Sequence, residues 1–448
     1  MFKKIPKYLN SFEDVSPLVV FRILFGFIML VSLVRFWNNG WIESIYIDPE
    51  FHFKYYGFEW VKSLGEFNYL LFIICSLSSI CIMIGYKYVY ACILFFLSFT
   101  YIELIDKTTY LNHYYFISVV SFLMIFLPAN IYFSIDSYRK KEFNQTKKWH
   151  IDTIKFLLLI VYFYAGIAKI NSDWLLNALP LSIWLPGKYD LPLVGHLMSE
   201  TWIHYLMSWG GMLYDLLIGF LLFSKRFRNI AFLFVIIFHI MTYIFFPSIG
   251  MFPFIMIFST MIFLDSKIHN KIIFRIKKIL KLRHNKEIKQ KVSNDKICMS
   301  IISFVLILQI LIPLRYLIYD GELFWHEQGY RFSWRVMLME KSGHSTFTVI
   351  DNETNQRVVV SNNNFLTPFQ EKQMSFQPDL ILEYAHYLKD HYKKKGFKKP
   401  SVYVDSFVTL NGRLSKRFIK KNVDLVNEKD SFKQKNWITH FKDEIKGF

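Results

Sequence analysis

The residues best placed to do chemistry lie in Tyr162-Phe163-Tyr164-Ala165-Gly166-Ile167-Ala168-Lys169-Ile170-Asn171-Ser172-Asp173-Trp174, where an apolar run meets a single lysine. A lysine at the edge of hydrocarbon loses hydration, which favours its uncharged amine, and an uncharged amine is a base. Read alone, Lys169 is equally an anchor that snorkels to the interface. Two histidines can face the same cavity as Lys169. His113 follows Asn112 in a short connection and alone reads as a helix-end histidine, whereas His239 lies within an apolar run and alone reads as a hydrogen-bonded core residue. Arg22 and Asp215 also fall inside apolar segments, where an ionisable group is costly. The first run enters from the inner side and the sixth returns to it, so Arg22 and Asp215 are placed at similar depth in the inner half, and a buried, structural ion pair between them is expected.

These residues need a membrane to hold them. Hydrophobic residues make up 53% of the chain and phenylalanine alone numbers 47. Long uncharged runs recur at about 17–36, 69–85, 88–105, 114–131, 151–168, 203–223, 230–246, 249–264 and 297–314. At roughly 20 residues per crossing, this is a polytopic α-helical membrane protein with about nine transmembrane helices, the first kept as an insertion signal. Lysine and arginine gather on alternate connections: Lys3, Lys4 and Lys7, then Arg139, Lys140 and Lys141, then Lys225, Arg226 and Arg228, then the run from Lys267 to Lys296. This places the N-terminus in the cytoplasm and residues 315–448 outside it.

The expected division is a helical catalytic region over 1–265, a basic amphipathic cytoplasmic segment over 266–296, a last crossing over 297–314 and an extracytoplasmic α+β domain over 315–448. In that domain His344–Ile350 and Gln356–Ser361 flank a turn, and Asn411-Gly412 follows Ser401–Leu410, so both regions read as β-hairpins. Leu380, Ile381, Tyr384, Ala385 and Leu388 recur at helical spacing. The net charge of +18 does not argue for nucleic acid, because much of it sits in the 267–296 segment, where Ile272, Ile273, Ile276 and Ile279 mark a helix lying on anionic lipid. Cys75, Cys81, Cys92 and Cys298 all fall in or beside apolar runs, so neither an external disulfide nor a cysteine metal site is expected. No other metal spacing, phosphate-cradling glycine loop or nucleophile elbow occurs.

Several motifs, taken in order, resemble the vitamin K-dependent γ-glutamyl carboxylase family. They are Phe21-Arg22-Ile23-Leu24-Phe25-Gly26, Asp106-Lys107-Thr108 with Asn112-His113, Ala165-Gly166 with Lys169 and Asp173-Trp174, Gly210-Gly211 with Asp215, and Phe238-His239 with Ser248-Ile249-Gly250. Gln328-Gly329-Tyr330, Ser333-Trp334, Tyr403-Val404-Asp405 and Asn411 with Arg413 extend the likeness into the C-terminal region. The resemblance implies oxidation of vitamin K hydroquinone, or a related quinol, by O₂ to the epoxide, coupled to addition of CO₂ at the γ-carbon of protein glutamate. It implies Lys169 as the base, with Asn112 and His113 holding the oxygenated quinone and His239 at a further important position. The partners it implies are a lipid-soluble quinol and a glutamate-containing secreted or surface protein. Animal members carry two adjacent lysines where this chain has Ala168-Lys169, and they carry external cysteines that it lacks; with its composition, this points to a bacterial homologue. Arg331, Arg335 and Arg413 are candidates for gripping a substrate carboxylate. A quinol oxygenase without protein carboxylation and a non-catalytic membrane protein of the same fold are the alternatives.

Overall fold

The computed structural model describes residues 8–282 and 295–447. Lys3, Lys4, Lys7 and positions 283–294 of the basic segment lie outside the described residues. Among the described residues, seven helices are long and apolar enough to cross a membrane: Ser16–Asn38 (α1), Gly65–Ile84 with its α-helical part Asn68–Ile84 (α2), Tyr88–Ile105 (α3), Lys148–Ile167 (α5), Thr201–Phe223 (α6), Arg228–Phe245 (α7) and Lys296–Ile318, whose α-helical part is Lys296–Leu311 (α10). The remaining two expected crossings are shorter. Asn112–Ile125 (α4) has 14 residues, and Phe252–Thr260 (α8) runs through a 3-10 turn and a bend of 112° into the basic helix Ser266–Ile279 (α9).

Small residues set how these helices approach one another, as close backbone contact requires where lipid supplies no hydrophobic drive. A Cβ at Gly26 of α1 would lie 2.6 Å from the Ser79 carbonyl of α2, and one at Gly166 of α5 would lie 2.6 Å from the Leu216 amide of α6. At one end of the bundle Phe12–Asp14 (β1) pairs antiparallel with Gln145–Lys147 (β2). The loop after α1 leads to the other end, where Phe53 is buried in the core of a second region.

That second region is built on an antiparallel sheet of order β4-β3-β5-β6, namely Arg357–Val359 (β4), Lys341–Asp351 (β3), Pro400–Leu410 (β5) and Lys416–Arg417 (β6). The two long strands pair from Lys341↔Leu410 to Asp351↔Pro400. Both expected hairpins form, and Asn411 and Gly412 take the positive φ of 49° and 73° their turn requires. Pro378–Lys394 (α11) packs on β5, burying Leu380, Ile381, Tyr384, Ala385 and Leu388.

Charged contacts seat the sheet domain on the helices. Asp173, just beyond α5, receives both Arg413 guanidinium nitrogens at 2.7 Å and the Asn411 amide at 2.7 Å. Across the interface, Lys107 lies 2.9 Å from Asp379 and 3.3 Å from Glu383, while Arg331, within the sheet domain, lies 2.6 Å from Asp379. Burial alone would raise the Asp379 carboxyl, but Arg331 and Lys107 outweigh it and hold Asp379 well below the usual carboxylate range. For Glu383 burial wins against Lys107 and pushes its carboxyl up to about 7.

Candidate functional site

Lys169 stands two residues beyond the end of α5, and its Nζ donates to Asp215 Oδ2 of α6 at 2.7 Å and to the Ala165 carbonyl at 3.1 Å. Both side chains are buried. The contact follows from Gly166: with no Cβ there, the α5 backbone closes onto Asp215 and Leu216, bringing the carboxylate level with the last turn of α5. Trp174 lies with its ring centroid 5.3 Å from Nζ and is fixed by an indole bond to the Ser208 carbonyl at 2.8 Å. Asn171 caps the short helix Ser172–Asn177 that carries this tryptophan.

The pair opens into a cavity of about 360 Å³ between α5, α6, α7 and α8, lined mainly by aromatic and aliphatic side chains. His239 reaches it from α7, bonded through Nε2 to the Tyr162 hydroxyl at 2.9 Å. Its Nδ1 is buried with no hydrogen-bond partner among the described residues, so one residue of the wall carries an unsatisfied polar atom. Leu206 and Met241 at the cavity edge are exposed on the helix surface, which gives an apolar molecule a lateral way in. Val336 and Met337, on the segment leading into β3, close the side toward the sheet domain.

The other expected site residues divide. His113 does not line the cavity; its ring meets Phe252, which does, at 5.8 Å between centroids, and Phe252 meets His239 at 5.6 Å. Asn112 donates to the Arg335 carbonyl at 2.6 Å and accepts from Tyr110 at 3.0 Å, tying α4 to the sheet domain. The expected Arg22–Asp215 pair does not form. Asp215 belongs to Lys169, while Arg22 donates to the Phe133 carbonyl at the far end of the bundle. The reason is depth: α6 extends several turns past the end of α5, packing its first residues on the 172–184 loops, so Asp215 sits level with the last turn of α5 and not near the end of the bundle that holds Arg22. Arg331 and Arg413 are engaged by the internal carboxylates Asp379 and Asp173, and Arg335 is buried with its guanidinium 4.5 Å from the Tyr316 ring. Sequence reasoning missed Asp173 as a docking residue and Tyr162 as the histidine's partner. The Asp173-Trp174 pair was visible, but not the strand turn that reaches it.

Residues 10–267 match the HTTM domain model, and residues 294–444 match the model of the vitamin K-dependent gamma-carboxylase lumenal domain. The fold is thus that of a multi-pass membrane protein with an HTTM domain joined to a region that matches the carboxylase lumenal domain. The chain belongs to the vitamin K-dependent γ-glutamyl carboxylase family. No solved structure matches it significantly.

Proposed function

We propose that this chain is a quinol-dependent γ-glutamyl carboxylase whose general base is Lys169. The observation that carries the reading is the buried Lys169–Asp215 pair, at 2.7 Å, on the wall of an apolar cavity that opens laterally and also presents an unpartnered histidine nitrogen. These residues fit a vitamin K hydroquinone or a related quinol: aromatic walls take the ring, and His239 Nδ1 and Lys169 Nζ offer two separated polar contacts for its oxygens. When bound, the quinol supplies, by oxidation with O₂ to its epoxide, the strong base that removes a glutamate γ-proton so that CO₂ can add.

The chain's own residues do the rest. As uncharged amine, Lys169 accepts a hydroxyl proton, and Asp215 at hydrogen-bond distance stabilises the ammonium so formed. Tyr162 holds the His239 ring in the cavity wall through Nε2. Trp174 and Phe252 exclude water, and His113 supports Phe252 from behind. Val336 and Met337 place the cavity against the sheet domain, which on this reading is extracytoplasmic and presents the glutamate of a secreted or surface protein. Lys169→Ala should abolish both epoxide formation and label fixation, and persistence of either in the folded variant would reject Lys169 as base.

A quinol oxygenase that does not carboxylate protein is the second reading. It is favoured by Arg331 and Arg413, whose engagement with Asp379 and Asp173 leaves neither guanidinium open to a substrate carboxylate. Epoxide formed at the same rate with and without a glutamate peptide, and no fixed label, would decide for it.

A further inference from the structure

A second cavity, of about 490 Å³, lies at the end of the bundle remote from the sheet domain, between α1, the 133–142 loops and α9. Arg22 lines it and is 1% exposed, yet makes a single hydrogen bond, from Nη2 to the Phe133 carbonyl at 2.7 Å. Its Nε and Nη1 have no acceptor among the described residues, nor does any ion pair there include it. The guanidinium head is built for, not accidental: Gly85, at φ +66°, makes room for it, since a Cβ at that position would lie 2.1 Å from Nη1. A buried cation with unsatisfied donors is expensive, and such groups are held for a partner.

Lys277 of α9 faces the same space, buried against the Tyr132 and Phe133 rings at 4.7 and 5.7 Å. Glu142 is the one carboxylate in the described lining, so two cations face one anion and the cavity carries a net positive charge. The rest of the wall is apolar, with Ile23, Ile276 and Leu280. Arg22 is six residues into α1, about 9 Å from its start at 1.5 Å per residue, the depth at which lipid head groups give way to acyl chains. Phe274 and Ile279 of α9 and Leu280 just beyond it are exposed, and α9 leaves α8 at 112°, as a helix lying along a membrane surface would.

We propose that this cavity takes the head of an anionic phospholipid, with Arg22 and Lys277 turning out of its wall to donate to the phosphate and the acyl chains lying along Ile23 and Ile276. The inference stands apart from the quinol site, which lies at the other end of the bundle. It is tested by placing the intact protein in phosphatidylcholine bilayers containing a minor share of phosphatidylglycerol, re-extracting it and measuring retained lipid by native mass spectrometry. Selective retention of phosphatidylglycerol is expected, lowered about five-fold in Lys277→Gln, as for one lost lysine contact. Arg22→Gln should lower it further, and Lys277→Gln carries the test if the arginine variant does not fold. Equal retention of both lipids, or no change in Lys277→Gln, would overturn the proposal. Displacement of the lipid by inorganic phosphate would assign the site to free phosphate and overturn it too.

Discussion

At the scale of residues, the Lys169–Asp215 pair carries two roles that can be separated. Removing one partner of a buried pair leaves an uncompensated charge and costs on the order of 3–5 kcal/mol, whereas replacing both with apolar groups of similar size is often nearly neutral. Lys169→Met should therefore lower the thermal unfolding temperature, and Lys169→Met combined with Asp215→Leu should recover it while epoxide formation stays absent. Recovery of activity along with stability would make the pair purely structural. The sequence displayed both ionisable residues but not their partnership. The mismatch was vertical: an apolar run reveals that a helix crosses, not how far it overshoots its neighbour, and Asp215 was assigned to Arg22 because both runs end on the inner side. Tyr162 likewise stood in the motif, but only the crossing of α5 and α7 brings its hydroxyl to His239.

At the scale of elements, two devices hold the site: the glycine contact between α5 and α6, and the charged seat of the sheet domain. Gly166→Val places side-chain atoms where the α6 backbone already sits, so the helices must part and lengthen the 2.7 Å contact. Loss of epoxide formation in a protein that still extracts as a monodisperse species is expected, and wild-type turnover would mean the close approach is unnecessary. Asp173→Asn weakens the grip on Arg413 and Asn411 and should speed protease cleavage between α10 and β3 without unfolding the helices. Glu383 sets the pH response of the seat. Its carboxyl is raised to about 7 in the folded protein, from an ordinary value of 4.5. The folded state thus binds the proton more tightly, and the seat loses stability as pH rises from about 4.5 through 7. Glu383→Gln should flatten that dependence in hydrogen exchange of α11, and an unaltered profile would place the titration elsewhere. The hairpins and α11 were legible because strand alternation, Asn-Gly and helical spacing are local signals, whereas the docking Arg413 looked like free surface charge because its acceptor, Asp173, lies far away in sequence.

At the scale of the whole molecule, a helical bundle with a lateral apolar cavity is joined to a sheet domain that closes the cavity with Val336 and Met337. Apolar run length located every helix of the bundle, although α4 and α8 are shorter than a full crossing and seven meet that length. The expected sidedness makes a testable prediction: in sealed right-side-out vesicles, added protease should cut the sheet domain and spare the Lys225–Arg228 connection, and the reverse pattern would invert the protein. The central claim is tested most directly with purified protein in lipid, supplied with vitamin K hydroquinone, O₂, labelled bicarbonate and a glutamate-rich peptide, wild type beside Lys169→Ala. The account predicts epoxide and peptide-bound label from the wild type and neither from the variant. Both products from a folded Lys169→Ala protein would contradict it.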